Sequence, residues 1–281
     1  VNEVAMSGSL NKQYRTAFIT GASSGLGEAF TRMLLEEGVK VWGTSRDSAK
    51  LQALRDQYPQ LFSVVCLELN QAEEAVNRFR KAEKEAGGFD LVIQNAGYGL
   101  FGNFELIPSE TWNTQLSSML GTTVALSHAA WTSMRSTNQG CLVHISSLAV
   151  DFPLPFMSGY NVVKAGISAL SESLMSEACG TNLVVIDFRP GDFKTAFNER
   201  AHKVDKLESD KRLKQAWLKL EENLNTSPKP TQAARDLKKA LKAGKSGIVI
   251  SGGFLQARLA PLAAHLLPKK LLRKITALYF N

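Results

Sequence analysis

The sequence predicts a doubly wound α/β fold: a parallel sheet of about seven strands, covered by helices on both faces, in a single domain. Three observations predict it. Short β-branched or apolar runs alternate with longer segments of helical period along most of the chain. A glycine-rich turn joins the first run to the first helical segment. At 281 residues and 44% hydrophobic, the chain holds enough apolar material for one sizeable core.

Taken in order, a strand is expected at Arg15 to Thr20, a helix at Gly25 to Glu37, a strand at Val39 to Thr44 and a helix near Asp47 to Gln57. A strand at Phe62 to Cys66, a charged helix at Gln71 to Ala86 and a strand at Phe89 to Gln94 close the first half. The second half begins with a long helix near Ser109 to Arg135 and a strand at Cys141 to Ser146. A helix over Ser158 to Cys179, a strand at Leu183 to Phe188 and a last strand at Gly247 to Ser251 follow. Parallel neighbours need crossover connections, so ligands are expected at the C-terminal edge of the sheet. Residues 192–230 break the alternation: they are charged and helical in pattern, and are read as a lid over a substrate site. Residues 1–13 are read as a loose leader and residues 254–281 as a basic amphipathic tail.

Composition narrows the function. Cys66, Cys141 and Cys179 have no C-x-x-C spacing, so neither a zinc site nor a disulfide framework is indicated, and all three are expected to be buried thiols. No metal is expected. The absence of a long apolar stretch or secretory layout points to a cytoplasmic setting. The net charge of +7 is a tail property: from Leu237 onward there are nine Lys or Arg and no Asp or Glu, while the rest carries net −2. No basic residues interleaved with aromatics and no groove-entering helix are found, which argues against nucleic acid as partner.

The turn Thr20-Gly21-Ala22-Ser23-Ser24-Gly25-Leu26-Gly27 follows a strand and opens a helix. Gly21 permits the tight turn, while Gly25 and Gly27 allow close backbone approach to a pyrophosphate held at the helix N-terminus, as in a Rossmann-type dinucleotide site. A plain strand-to-helix turn is the alternative for the glycines alone. After the second strand stand Ser45 and Arg46, where a carboxylate would bond ribose hydroxyls. A guanidinium pairs instead with a 2′-phosphate, which favours NADP(H) over NAD(H). The alternative is an Arg46 solvated beside Asp47.

Tyr160 and Lys164, four residues apart, share a helix face, and the ammonium is expected to lower the phenol's pKa for proton transfer. Ser147 ends the fifth strand at the ligand edge and can hold a substrate oxygen. Alternation turns Ser146 the other way. His128 and His144 are read as structural, and Asp192 as a solvated loop carboxylate.

These motifs, in this order from about Arg15 to Thr195, resemble those of the short-chain dehydrogenase/reductase family. The resemblance implies that Tyr160, Lys164 and Ser147 are catalytic and that Asn95, in Gln94-Asn95-Ala96-Gly97, steadies the central sheet. It implies that Glu68 and Leu69 meet the adenine, and that Pro190, Gly191, Phe193 and Thr195 border the nicotinamide, with Asn95, Ala96 and Gly97 also at the cofactor. Two departures stand out. Gln94 replaces the first asparagine of the motif, and Ser118 stands where the family's fourth catalytic residue, an asparagine, is expected, with Asn113 too far upstream to replace it. Homo-oligomers formed through the long helices are also implied.

The reading is an NADP(H)-dependent oxidoreductase interconverting a carbonyl and an alcohol on a hydrophobic small molecule. Its apolar contacts are sought among Tyr98, Leu100, Phe101, Phe152, Leu154, Phe156, Phe193 and Phe197, which could equally be core anchors. The alternatives are an idle dinucleotide-binding sensor or scaffold, prompted by Ser118, and a membrane-peripheral lipid ketone reductase. The second is prompted by the tail, where leucines at helical spacing accompany Arg258, Lys269, Lys270, Arg273 and Lys274, with Pro261 and Pro268 dividing it. Packing of that tail on its own domain or on a second subunit gives the same pattern and is the favoured reading, since amphipathicity serves core burial more often than membranes.

Overall fold

A computed structural model describes residues 10–197, 201–203 and 210–279. Seven strands form one parallel sheet: β1 (Thr16–Ile19), β2 (Lys40–Ser45), β3 (Phe62–Cys66), β4 (Leu91–Gln94), β6 (Gly140–Ile145), β7 (Leu183–Pro190) and β9 (Gly247–Ser251). Their spatial order is β3-β2-β1-β4-β6-β7-β9. The order reverses between β1 and β4, which opens the ligand crevice at their C-terminal ends. Two short strands not expected from the sequence, β5 (Leu100–Phe101) and β8 (His202–Lys203), pair in parallel outside the main sheet.

Helices α1 (Leu10–Gln13), α2 (Gly25–Glu36), α3 (Gln52–Gln57) and α4 (Ala72–Ala86) belong to the first half. They are followed by α5 (Ser109–Gln115), α6 (Thr122–Thr137), α7 (Ser158–Glu177), α8 (Lys211–Thr226), α9 (Pro230–Ala243), α10 (Ala260–Leu266) and α11 (Lys269–Tyr279). Alternating strand residues feed two cores. Ile19, Ile93, Val143 and Phe188 pack toward Phe30 and Leu34 of α2 and Leu237 and Leu241 of α9. Phe18, Val92, Leu142 and Val185 pack on the other face, toward Phe79 of α4, Leu126 of α6 and Leu174 of α7. Both faces of the central strands are therefore dry, as their near-continuous apolar sequence requires, while the edge strands β3 and β9 are partly exposed.

Several expectations change. Residues 1–9 lie outside the described residues, but Leu10 and Tyr14 are buried in the core, so the last part of the leader is packed and not loose. Cys66 and Cys179 are exposed and only Cys141 is buried: Cys66 ends the edge strand β3, and Cys179 lies just past α7. The long helix expected at Ser109 to Arg135 is interrupted by a π-helical turn at Leu116–Gly121. In the tail only the Pro268 break separates α10 from α11; Pro261 sits inside the first turn of α10, where a missing N–H costs little. No helix among the described residues is long and apolar enough to cross a membrane.

Candidate active site

The site is assembled at the crevice between β1 and β4. Thr20, just after β1, organises it: its Oγ1 accepts from the N–H groups of Asn95 (2.9 Å) and Ala96 (3.0 Å), and its carbonyl accepts from Asn95 Nδ2 (2.9 Å). Asn95 thus clamps the end of β4 to the glycine turn, beside Ala96 and Gly97. Gln94 does not share this work; it is buried, and its Nε2 has no partner. Gly21 and Gly25 adopt the left-handed region (φ +72° and +59°). Gly27 is required for another reason, since a Cβ there would stand 2.1 Å from the Gly21 carbonyl oxygen. The turn then delivers Ser23, Ser24, Gly25 and Leu26 to the start of α2, whose first-turn N–H groups lack helical acceptors.

At the next strand end, Ser45 is buried and its Oγ accepts from the Asp47 N–H (3.2 Å). Arg46 is exposed. Asp47 caps the following turn through the Ala49 N–H and faces Lys50 at 3.9 Å, so the neighbouring carboxylate is engaged away from Arg46. Glu68 is exposed, while the Leu69 carbonyl is fixed by Thr122 Oγ1 at 2.5 Å. Arg46 thus presents a guanidinium with no ion pair among the described residues at this strand end.

Tyr160, Lys164 and Ser147 converge. Ser147 is nearly buried, its Oγ accepting from the Ala149 N–H (3.1 Å) and standing close enough to the Tyr160 phenol to oppose the rise in its pKa. Ser146 turns to the opposite side, where its hydroxyl donates to buried Asp187, as alternation predicts. Lys164 Nζ lies 5.5 Å from the Tyr160 ring centroid and donates to the Ile145 carbonyl at 2.7 Å. Burial dominates both titrations. The phenol is pushed up to about 12 by burial, with the Ser147 hydrogen bond opposing and the Asp192 charge adding. The ammonium is brought down to about 8 by burial, partly offset by Asp187. The lowered phenol pKa expected from the lysine is therefore corrected: desolvation outweighs a cation that sits under the ring and spends a proton on a backbone carbonyl.

Ser118 lies on the π turn and is buried; its Oγ donates to the Thr114 carbonyl (2.6 Å) and stands 3.4 Å from the Tyr98 phenol. Asn113 is exposed on α5. On the other side of the crevice, Pro190 ends β7, and Gly191 donates to the Ser251 carbonyl (2.7 Å). Thr195 approaches Gly25: a Cβ on that glycine would be 3.4 Å from the threonine methyl. Phe193 is buried in the main core, and Leu100 and Phe101 are also buried, so these three are anchors. Leu154, Phe156, Phe197 and Tyr160 all pack on one cluster containing Met157 and Trp217 of α8, and the Phe197 ring meets the Tyr160 ring at 5.7 Å.

Asp192 corrects another expectation. Its N–H donates to Gln256 Oε1 (2.9 Å) and its Oδ2 accepts from Gln256 Nε2 (2.8 Å), so it is a clasped carboxylate and not a solvated one. No sequence pattern pointed to Gln256. His144 is structural, held at 2.8 Å by both Ser127 and Ser171 inside the core, and His128 is exposed on α6.

The short chain dehydrogenase model matches residues 15–206, which contain every part of this crevice except Gln256 and Ser251. The chain belongs to the short-chain dehydrogenase family. This is a family of oxidoreductases that use nicotinamide dinucleotides in carbonyl–alcohol chemistry. An uncharacterized oxidoreductase of Myxococcus xanthus is 37% identical over 186 residues, 65% of this chain and 73% of the relative. Among solved structures, a short-chain dehydrogenase from Streptomyces avermitilis superposes with TM-score 0.79 at 23% identity, covering 95% of this chain and 99% of that one. A Burkholderia phymatum short-chain dehydrogenase/reductase in complex with NAD gives TM-score 0.79 at 18% identity, covering 94% and 96%. One from Sphingobium yanoikuyae in complex with NADPH gives 0.73 at 20%, covering 92% and 95%. At these identities the structural likeness carries the fold, and the two complexes hold different dinucleotides.

Proposed function

We propose that this short-chain dehydrogenase is an NADP(H)-dependent reductase of a hydrophobic carbonyl compound. The observation that carries the reading is the Tyr160 ring with the Lys164 ammonium 5.5 Å from its centroid, beside the buried Ser147 at the strand end. Gly21, Ser23, Ser24, Gly25, Leu26 and Gly27, with the α2 N-terminus, would hold the pyrophosphate. Ser45 and Arg46 would take the 2′-phosphate, and Glu68 with the Leu69 backbone the adenine. Asn95, Ala96, Gly97, Pro190, Gly191 and Thr195 would border the nicotinamide, with Phe193 holding their loop to the core and offering it only backbone. The fit rests on the left-handed glycines, the first-turn N–H groups of α2, which have no helical acceptor, and an Arg46 with no ion pair among the described residues.

When bound, the dinucleotide supplies the hydride. Tyr160, held protonated at neutral pH by burial, gives its proton to the carbonyl oxygen. The Ser147 hydroxyl donates to the same oxygen as negative charge develops there. Lys164 then faces the phenolate that forms and lowers its energy through its charge. Leu154, Phe156 and Phe197 exclude water around the phenol and suit an apolar substrate. Ser118 and Tyr98 would carry the proton that restores Tyr160, in place of the family's asparagine.

The test is NADPH consumption against a panel of ketones and aldehydes. Tyr160→Phe is expected to lose about 10²- to 10⁴-fold in kcat while keeping dinucleotide affinity; turnover at the wild-type rate would sink the reading. Arg46→Asp is expected to move preference from NADPH toward NADH by about tenfold or more, and an unchanged preference would remove the NADP(H) assignment.

A further inference from the structure

The chain beyond β9 is the part that the catalytic reading leaves without a role, and its surface is unlike the rest. Phe254, Leu255, Leu259, Leu262 and Leu266 are exposed by 75, 68, 50, 58 and 78%, and Leu271 on α11 by 43%. Leu255, Leu259, Leu262 and Leu266 follow at intervals of four, three and four through the π turn Leu255–Leu259 and α10, so they line one side of a helical segment. Arg258 within this segment and Lys270 and Lys274 on the following α11 are exposed as well. No Asp or Glu occurs from Leu237 to the end. A contiguous apolar stripe of this extent is rarely left to water. A second helix face would cover the leucines but would leave an unopposed cationic rim. A bilayer with anionic headgroups satisfies both at once, taking the leucines into the acyl boundary and the ammonium and guanidinium groups at the phosphate level.

The same segment is tied to the crevice. Gln256, between Leu255 and Arg258, grips the Asp192 backbone and carboxylate and packs on Gly191 and Gly252. We propose that residues 254–274 dock this protein on an anionic membrane surface, lying in the interface without crossing it. The Gln256–Asp192 clasp fixes the docked segment to the rim of the catalytic crevice, so a docked molecule presents that rim to the lipid. The inference stands on the surface itself and goes beyond the catalytic reading.

The full chain is tested by sedimentation with vesicles of phosphatidylcholine alone and of phosphatidylcholine with phosphatidylserine. Binding to the anionic vesicles is expected and should weaken with salt, because each basic residue at such a surface contributes roughly fivefold to association. Arg258→Glu with Lys270→Glu and Lys274→Glu should reduce it by roughly a hundredfold or more. Leu259→Glu with Leu262→Glu and Leu266→Glu should abolish it with the unfolding midpoint unchanged, since these side chains touch solvent. Failure of the wild-type chain to sediment with anionic vesicles would overturn the proposal. So would equal binding to both vesicle types, or a lipid-free wild-type dimer that the leucine variant converts to monomer, which would assign the stripe to a second copy.

Discussion

A buried titratable group keeps its place only by what surrounds it, and three such groups set the behaviour of this molecule. Tyr160 and Lys164 are both pushed toward their neutral forms by burial, and what distinguishes them from passive core residues is their convergence with Ser147. His144 is the passive case. It is fully buried between two serine hydroxyls, and burial lowers its pKa from 6.5 to about 4. Above pH 6.5 both folded and unfolded chains hold it neutral. As the pH falls below that value the unfolded chain takes up a proton that the folded chain refuses until about pH 4. Its contribution is therefore complete above 6.5 and is lost over that window, about 3 kcal/mol in all. Urea unfolding at a series of pH values should show this slope, and His144→Gln should flatten it; a slope equal in both proteins would assign it to other groups. The convergence of Tyr160, Lys164 and Ser147 was legible from their spacing, the strand end and the family resemblance. The phenol's raised pKa was not, because desolvation depends on packing from distant parts of the chain.

Among the elements, the seven sheet strands lie within a few residues of their expected positions, since a strand buried on both faces must be apolar throughout and so announces itself. The π turn at Leu116–Gly121 left no trace in the periodicity, because one extra residue per turn shifts the apolar phase only locally. The 192–230 insertion was recognised by its length, but its attachment was not. β8 adds to β5, Asp210 caps α8 and accepts from Asn103 Nδ2 at 2.9 Å, and Trp217 packs edge-on to Phe101 with ring centres 5.0 Å apart. Trp217 is the anchor of this cap. Trp217→Ala should weaken it by about 3–5 kcal/mol. Limited proteolysis should then cut first within residues 192–230 while the sheet persists, and an unchanged cleavage pattern would show that the cap is held elsewhere.

At the scale of the whole molecule, an ionic network under the crevice joins parts far apart in sequence. Arg189 at the end of β7 bonds Asp187 (2.8 Å), Ser168 and Glu172 of α7 (2.8 and 2.9 Å) and Asp151 after β6 (3.2 Å). Asp187 also accepts from Ser146 and Ser168, next to the serine and lysine of the site. Arg189→Met would leave the buried Asp187 without its guanidinium partner, and a loss of about 3–5 kcal/mol is expected in chemical unfolding. A loss under 1 kcal/mol, on the scale of an exposed pair, would mean that the network is not cooperative.

The sequence by itself determined the parallel α/β architecture, the glycine turn and the identity of the three converging side chains. Each of these is a local pattern: a run of apolar residues, a glycine at a turn, a spacing on one helix. Tertiary structure alone decided that Phe193 and Phe101 are anchors while Phe197 meets Tyr160, and that Arg46 has no ion pair among the described residues. It also decided that Asp192 answers to Gln256 from 64 residues away. The physical reason is one of range. Periodicity and backbone conformation act within a turn or a strand, whereas desolvation, ion pairing and the facing of side chains are set by neighbours that only the closed chain brings together.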